Sequence, residues 1–397
     1  MTDPAGARVV VATPTPATIA AIHLALERRE PIALLHARLP EAELARQRAL
    51  VEAATLPSDA AMILFTSGST GPARGVVLSR GALEAAASAS AAQLGWHDDD
   101  RWLLALPTAH AGGLAVVVRS WIAGKPIALL DGDFDRARAA ALLEDCTLAS
   151  LVPTQLAALL EDPAWHPPSR LRAVLLGGAA ASRSLLADAH ARGVPFLTSY
   201  GLTETFGQIA TAPLSHAGDP DAPLATLTGV TVIAGTRAQP ELIRIRGPML
   251  ATAYLDGTSI APELTTADLG FVDDGVLHIV GRADDVIVSG GEKVHPSVVE
   301  AVLAATPGIR AACVFGVPDP RWGQIVGAAV VVGDDAPLDQ PAALAGWADA
   351  LPPHARPREL AITRALPLLP SGKVDRRSAA RLARVPLRYR SADEQNG

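Results

Sequence analysis

Along the first 200 residues, short apolar runs alternate with longer stretches of helical period. Continuous apolar runs predict buried strands at residues 9–12, 32–35, 62–65, 102–106, 126–130, 148–152, 171–176 and 195–198. Between them, apolar residues recur at three- and four-residue spacing. This predicts helices over 15–29, 41–54, 79–94, 113–122, 135–144, 154–161 and 182–191, with Ser79 as an N-cap. Strands that are apolar throughout, spaced by amphipathic helices, predict an α/β fold with parallel sheets covered on both faces. Ligands of such sheets bind beyond the carboxyl ends of the strands.

The helical period fades from residue 224 to about 280. Short runs at 230–233, 242–246 and 276–280, broken by Gly, Pro and Asp, predict a small β subdomain. A polar break, Gly281-Arg282-Ala283-Asp284-Asp285, follows. The pattern then restarts as a compact α+β unit, with strands at 286–289, 311–317, 326–332 and 360–363 and helices at 296–305 and 341–350. The expected division is a large N-terminal domain, 1–283, and a small C-terminal domain, 284–397.

Composition narrows the class. With 397 residues, 49% hydrophobic and 19% charged, the chain can bury a large core. A net charge of −7 argues against nucleic acid as a partner. Cys146 and Cys313 lie far apart in apolar runs and read as two buried thiols. No leader pattern and no apolar span of about 20 residues is seen, so a soluble cytoplasmic protein is expected, with no membrane insertion. A homodimer is left open.

The chemistry concentrates after strand ends. Residues 64–76 run from an apolar strand into Thr66-Ser67-Gly68-Ser69-Thr70-Gly71 and on to Arg74 before turning apolar again. Glycines let a backbone approach a ligand and turn its N–H groups towards it. Hydroxyls add donors and Arg74 a charge, so the fitting ligand is a polyphosphate. The loop is not of the Gly-Lys-Ser/Thr kind. Gly177-Gly178-Ala179 and Ser199-Tyr200-Gly201-Leu202-Thr203-Glu204 are two further loops after strands, and residues 369–376 form another around Lys373. Each has a plainer reading. Gly177-Gly178 suits an ordinary turn, Glu204 a charge at a helix start, Asp268 a turn residue, Gly290-Gly291 a hairpin turn, and His110 a core or surface histidine.

The motifs 66–71, 199–204, Asp268 ahead of Gly281-Arg282, and Pro370-Ser371-Gly372-Lys373 occur in that order. Together they resemble the adenylate-forming superfamily of acyl-CoA synthetases, carrier-loading adenylation domains and beetle luciferases. Segments 105–114, 119–124 and 198–205 are most similar to the o-succinylbenzoate–CoA ligase branch. The resemblance implies attack of a carboxylate on the α-phosphate of ATP, giving acyl-adenylate and pyrophosphate, then displacement of AMP by a thiol, usually of CoA. Its partners are therefore a small carboxylic acid, ATP and CoA.

It further implies that residues 66–71 and Arg74 hold the β- and γ-phosphates, and that Glu204 with Thr66 holds Mg2+. Tyr200 would stack on adenine, Gly177, Gly178 and Ala179 would line the base, Gly201 would leave room for the acyl group, and Thr203, in the motif begun by Ser199, would contact the α-phosphate. Asp268 would accept from the ribose hydroxyls, and Arg282 would contact ribose and phosphate. Lys373 would be the catalytic cation of adenylation. A mobile C-terminal domain would turn about Asp284 and exchange Lys373 for Gly290 and Gly291. His110 would line the acyl pocket and gate CoA entry. Two departures stand out: Ala73-Arg74-Gly75 replaces the family's Pro-Lys-Gly, and Ala253-Tyr254 its Gly-Tyr. An acid other than 2-succinylbenzoate, a carrier-protein thiol, or a non-catalytic nucleotide-binding relative remain as alternatives.

Overall fold

The computed structural model describes residues 6–66, 72–333, 338–369 and 372–389. Ser67, Gly68, Ser69, Thr70 and Gly71 of the expected phosphate loop lie outside the described residues, as do Pro370 and Ser371.

A five-stranded sheet starts the chain. Arg8–Ala12, Ile32–His36 and Ala60–Phe65 pair in parallel, and Gly75–Ser79 returns antiparallel to the last of these. Ile32–His36 and Ala60–Phe65 are buried at every position, as runs without alternation require. Thr15 and Ser79 each cap a helix by accepting a backbone N–H through the side-chain oxygen. The fifth strand, Ala253–Tyr254, comes from far along the chain and sets Tyr254 opposite Val76.

The second sheet has eleven strands. Its parallel part orders Ile127–Leu129, Trp102–Leu104, Leu148–Leu151, Ala173–Leu176 and Phe196–Leu202 side by side. From Gly207–Thr211 onward every pair is antiparallel. The expected β region therefore does not stand apart: its strands continue the parallel sheet through hydrogen-bonded neighbours. Two elements differ from expectation. Residues 199–202 are not a loop but the end of the strand Phe196–Leu202, followed by a 3-10 turn Thr203–Thr205. Asp268 is not in a turn but inside the ten-residue strand Leu264–Asp273.

The C-terminal part builds its own sheet around the antiparallel pair Ile309–Asp319 and Gly323–Val332, with Glu359–Thr363 parallel to the latter. Helices Pro296–Ala304 and Gln340–Ala350 cover it, and Trp347 and Val299 are buried between them and the sheet. Among the described residues no helix is long and apolar enough to cross a membrane.

Candidate active site

A cleft of about 1910 Å3 opens between the large sheets and the C-terminal sheet. Thr66, Arg74, Gly178, Ala179, Ser199, Tyr200, Gly201, Thr203, Glu204, Asp268, Arg282 and Lys373 all face it. These come from five separate stretches of chain.

The hairpin Ala60–Phe65/Gly75–Ser79 fixes the first. The Thr66 N–H donates to Arg74 O over 2.9 Å, and the Arg74 N–H donates to Thr66 Oγ1 over 3.1 Å. Thr66 and Arg74 are thereby held together at the cleft. The Arg74 guanidinium donates to Asp256 Oδ2 over 2.8 Å and lies over the Tyr254 ring, 3.5 Å from its centroid. Tyr254 in turn donates its hydroxyl to Glu204 Oε1 over 2.9 Å. Glu204 sits in the 3-10 turn, and its carbonyl accepts from Ala251 N–H over 2.8 Å. The Glu204 carboxylate and the Thr66 hydroxyl both face this cleft, and oxygen donors are the kind that a hard divalent cation such as Mg2+ takes.

Asp268 and Arg282 face each other across adjacent strands in register. Asp268 is buried, and the Tyr200 hydroxyl donates to its Oδ2 over 2.6 Å. Arg282 Nη1 donates to Asp268 Oδ1 over 3.4 Å, while its Nε and Nη2 both donate to Asp284 over 2.8 Å. That bidentate fork on Asp284 raises the pKa of Arg282. Burial pushes the Tyr200 phenol up, and Asp268 adds to it, so the hydroxyl keeps its proton and acts as donor.

Lys373 enters from the far side. Its loop is closed by Leu369 N–H donating to Lys373 O over 2.8 Å and touches the large domain where Thr154 Oγ1 donates to Gly372 O over 3.4 Å. Burial lowers the Lys373 pKa and Arg282 adds to the lowering, while Asp268 and Glu204 oppose it. Lys373 and these three residues line the same cleft.

Several expected residues are placed differently. Gly177 does not face the cleft. Its N–H continues the sheet to Leu151 O over 3.2 Å, and a β-carbon there would meet Ser199 Oγ at 2.7 Å. At Gly201 a β-carbon would lie 1.8 Å from Gly207 O, so close strand approach already demands glycine, before any acyl group is considered. Gly290 and Gly291 lie outside the cleft. They form the turn between strands Ile287–Ser289 and Glu292–Val294, both with positive φ, and Trp322 packs against Gly290.

His110 also lies outside the cleft's lining. It is the N-cap of helix Ala111–Ala123, and its ring stands 4.9 Å from that of His36. Burial, then His36 and Lys373, pushes His110 down to about 3, so it is a neutral imidazole.

One residue stands in the sequence reading only as the start of segment 119–124, with no role assigned to it. Arg119, on helix Ala111–Ala123, is 4% exposed, and its Nη1 donates to Gln208 Oε1 over 2.8 Å. Its Nε and Nη2 have no partner among the described residues, and burial alone lowers its pKa to about 10. Nη2 points towards Gly207, which pairs with Leu202 at the end of the strand carrying Tyr200 and Gly201. The signal was in the sequence: Arg119 is the sole charged residue of its helix.

A cleft walled by a hydroxyl-flanked hairpin, a Tyr–Asp–Arg group and a lysine on a C-terminal loop fits a nucleotide-binding enzyme. The profile of the AMP-binding enzyme family matches residues 1–255, and that of the AMP-binding enzyme C-terminal domain matches residues 298–373. The chain belongs to the AMP-binding enzyme family, as the four motifs led one to expect. A Mycobacterium tuberculosis relative named probable 2-succinylbenzoate–CoA ligase is 40% identical over 344 residues, covering 82% of this chain and 85% of the relative. The structure of o-succinylbenzoate CoA synthetase from Bacillus subtilis with its acyl-adenylate intermediate OSB-AMP is similar at a TM-score of 0.84. It is 26% identical, and the match covers 97% of this chain and 90% of that one. The Bacillus subtilis enzyme with ATP and magnesium ion gives 0.82 at 26% identity, covering 95% and 90%.

Proposed function

We propose that the chain is an AMP-forming acid–CoA ligase that activates 2-succinylbenzoate. The observation that carries this reading is that Glu204, Asp268, Arg282 and Lys373, from distant parts of the chain, line one cleft. Adenylation brings a carboxylate against a polyphosphate, two anions, so charge stabilisation and positioning must supply the catalysis. In this reading residues 66–71 and Arg74 hold the β- and γ-phosphates. Asp268, oriented by Tyr200 and Arg282, accepts from the ribose. Gly178 and Ala179 line the base with Tyr200, and Thr203 meets the α-phosphate. Lys373 donates to the developing charge between the acid oxygen and the α-phosphate. Mg2+ held by Glu204 and Thr66 supplies neutralisation of phosphate charge.

The choice of acid follows the relatives named 2-succinylbenzoate–CoA ligase. Arg119 does not line the cleft; it lies behind Gly207, with Nε and Nη2 unbonded among the described residues. A second carboxylate reaching it would complete a buried guanidinium that otherwise costs several kcal/mol. After adenylation, rotation of 284–397 against 1–283 about Asp284 would withdraw Lys373 and bring Gly290 and Gly291 to the cleft for CoA. In this reading the protein works in the cytoplasm, where ATP and CoA are supplied.

The test is Arg119→Met with two acids. The KM for 2-succinylbenzoate should rise about a hundredfold, as for truncating one partner of a buried charge pair, while any residual turnover of benzoate should not fall. Equal effects on both acids, or none, would remove Arg119 from the acid site.

A further inference from the structure

Tyr254 is a residue to which neither the motifs nor the proposed reaction gives a role, yet it touches two groups that both need. Its backbone is registered directly against the phosphate hairpin, opposite Val76. Its hydroxyl donates to Glu204 Oε1 over 2.9 Å. Its ring face lies under the Arg74 guanidinium at 3.5 Å. Asp256, two residues on, holds the same guanidinium over 2.8 Å. The short strand Ala253–Tyr254 thus presents one side chain that grips an anion with its edge and a cation with its face.

We propose that Tyr254 is a positioning residue that fixes the Glu204 carboxylate for the divalent cation and holds Arg74 at the phosphate end of the same cleft. This rests on the reading of Glu204 and Thr66 as the Mg2+ site. A donor on Oε1 sets the carboxylate's rotation and leaves Oε2 to the ion, as partners behind metal ligands do. The ring restricts the four-bond arm of Arg74, so that less freedom is lost when a phosphate is bound.

The experiment is calorimetric titration of ATP into the full chain, without acid, across a series of Mg2+ concentrations. It compares wild type, Tyr254→Phe, Tyr254→Leu, Glu204→Gln and the Tyr254→Phe/Glu204→Gln double variant. Loss of one hydrogen bond to a charged group should raise the Mg2+ concentration for half-maximal ATP binding about tenfold in Tyr254→Phe. The melting temperature should stay unchanged, since only one oxygen is removed. Tyr254→Leu should in addition weaken ATP binding about threefold at saturating Mg2+, from loss of the stacked cation. In the Glu204→Gln background, Tyr254→Phe should change nothing further. If Glu204→Gln shifts the Mg2+ dependence and Tyr254→Phe does not, Tyr254 merely packs and the proposal is overturned. If Glu204→Gln itself shifts nothing, the metal reading of Glu204 falls first, and the proposal with it.

Discussion

Tyr200 and Asp268, 68 residues apart in sequence, share a 2.6 Å hydrogen bond in which the phenol donates to Oδ2. Residues expected to touch different parts of one nucleotide are thus already joined to each other. The bond turns the Asp268 carboxylate so that Oδ1 meets Arg282 across the strand pair. Removing the hydroxyl leaves Asp268 free to rotate while the ring stays. Tyr200→Phe should raise the KM for ATP about fivefold, the worth of roughly 1 kcal/mol, and leave that for the acid unchanged. Initial-rate kinetics with each substrate varied in turn checks this.

Lys373 carries the next prediction. A positioned donor at developing charge is worth about 3 kcal/mol, or about a hundredfold in rate. Lys373→Ala should lose that much in pyrophosphate release, yet form thioester from supplied acyl-adenylate at close to the wild-type rate. Equal loss in both half-reactions would show that the lysine serves general binding.

The same lysine sets a pH dependence. Burial, followed by Arg282, lowers its pKa from the ordinary 10.5, and only the ammonium form can donate charge. Adenylation should therefore fall on the alkaline side at a lower pH than an ordinary lysine would dictate. The pH profile of kcat/KM for ATP reads this limb, and it should vanish from the residual activity of Lys373→Ala.

Stability away from the cleft turns on Asp100 and Arg172. Asp100 is buried; burial pushes its carboxyl up. Arg172, at 2.6 and 3.0 Å, the His97 N–H and the Thr147 hydroxyl outweigh this and hold it at about 2. A lowered carboxyl stabilises the fold fully above the unfolded value near 4, and that contribution disappears as pH falls through about 2. Asp100→Asn removes the carboxylate facing Arg172, leaving it only the Leu94 and Gly95 carbonyls among the described residues, and should cost about 3 kcal/mol in urea denaturation at pH 7. The difference from wild type should shrink in the window from pH 4 down to 2.

Gly201 offers a steric test. A β-carbon there lies 1.8 Å from Gly207 O, a backbone atom that cannot swing away. Gly201→Ala should destabilise the chain by about 2 kcal/mol, as overpacking does, even in assays without acid. A variant of unchanged melting temperature and altered acid preference would restore the reading in which Gly201 makes room for the acyl group.

The parallel strands were legible because burial on both faces leaves apolar runs, as in Ile32–His36 and Ala60–Phe65. The order of motifs gave most of the cleft, because each lies at a strand end or turn where backbone meets ligand. The strand Leu264–Asp273 was hidden because its inward positions include Thr266 and Asp268, which are buried only through hydrogen bonds to each other, Tyr200 and Arg282. Tyr254 was seen only as half of a departing pair, since its meaning depends on a strand pairing 178 residues back, at Val76. Gly290 and Gly291 looked like ligand glycines, and in the structure they satisfy a hairpin with two positive φ angles.

The central claim is that this cleft joins an organic dicarboxylate to AMP. The most direct measurement is pyrophosphate release and AMP formation by the purified chain with ATP, Mg2+ and 2-succinylbenzoate, with and without CoA. The account predicts acid-dependent pyrophosphate release without CoA, limited to about one equivalent per site, and continuous turnover to AMP and the CoA thioester once CoA is added. Pyrophosphate release that does not depend on this acid, or none with any dicarboxylate while a monocarboxylate supports turnover, would contradict it.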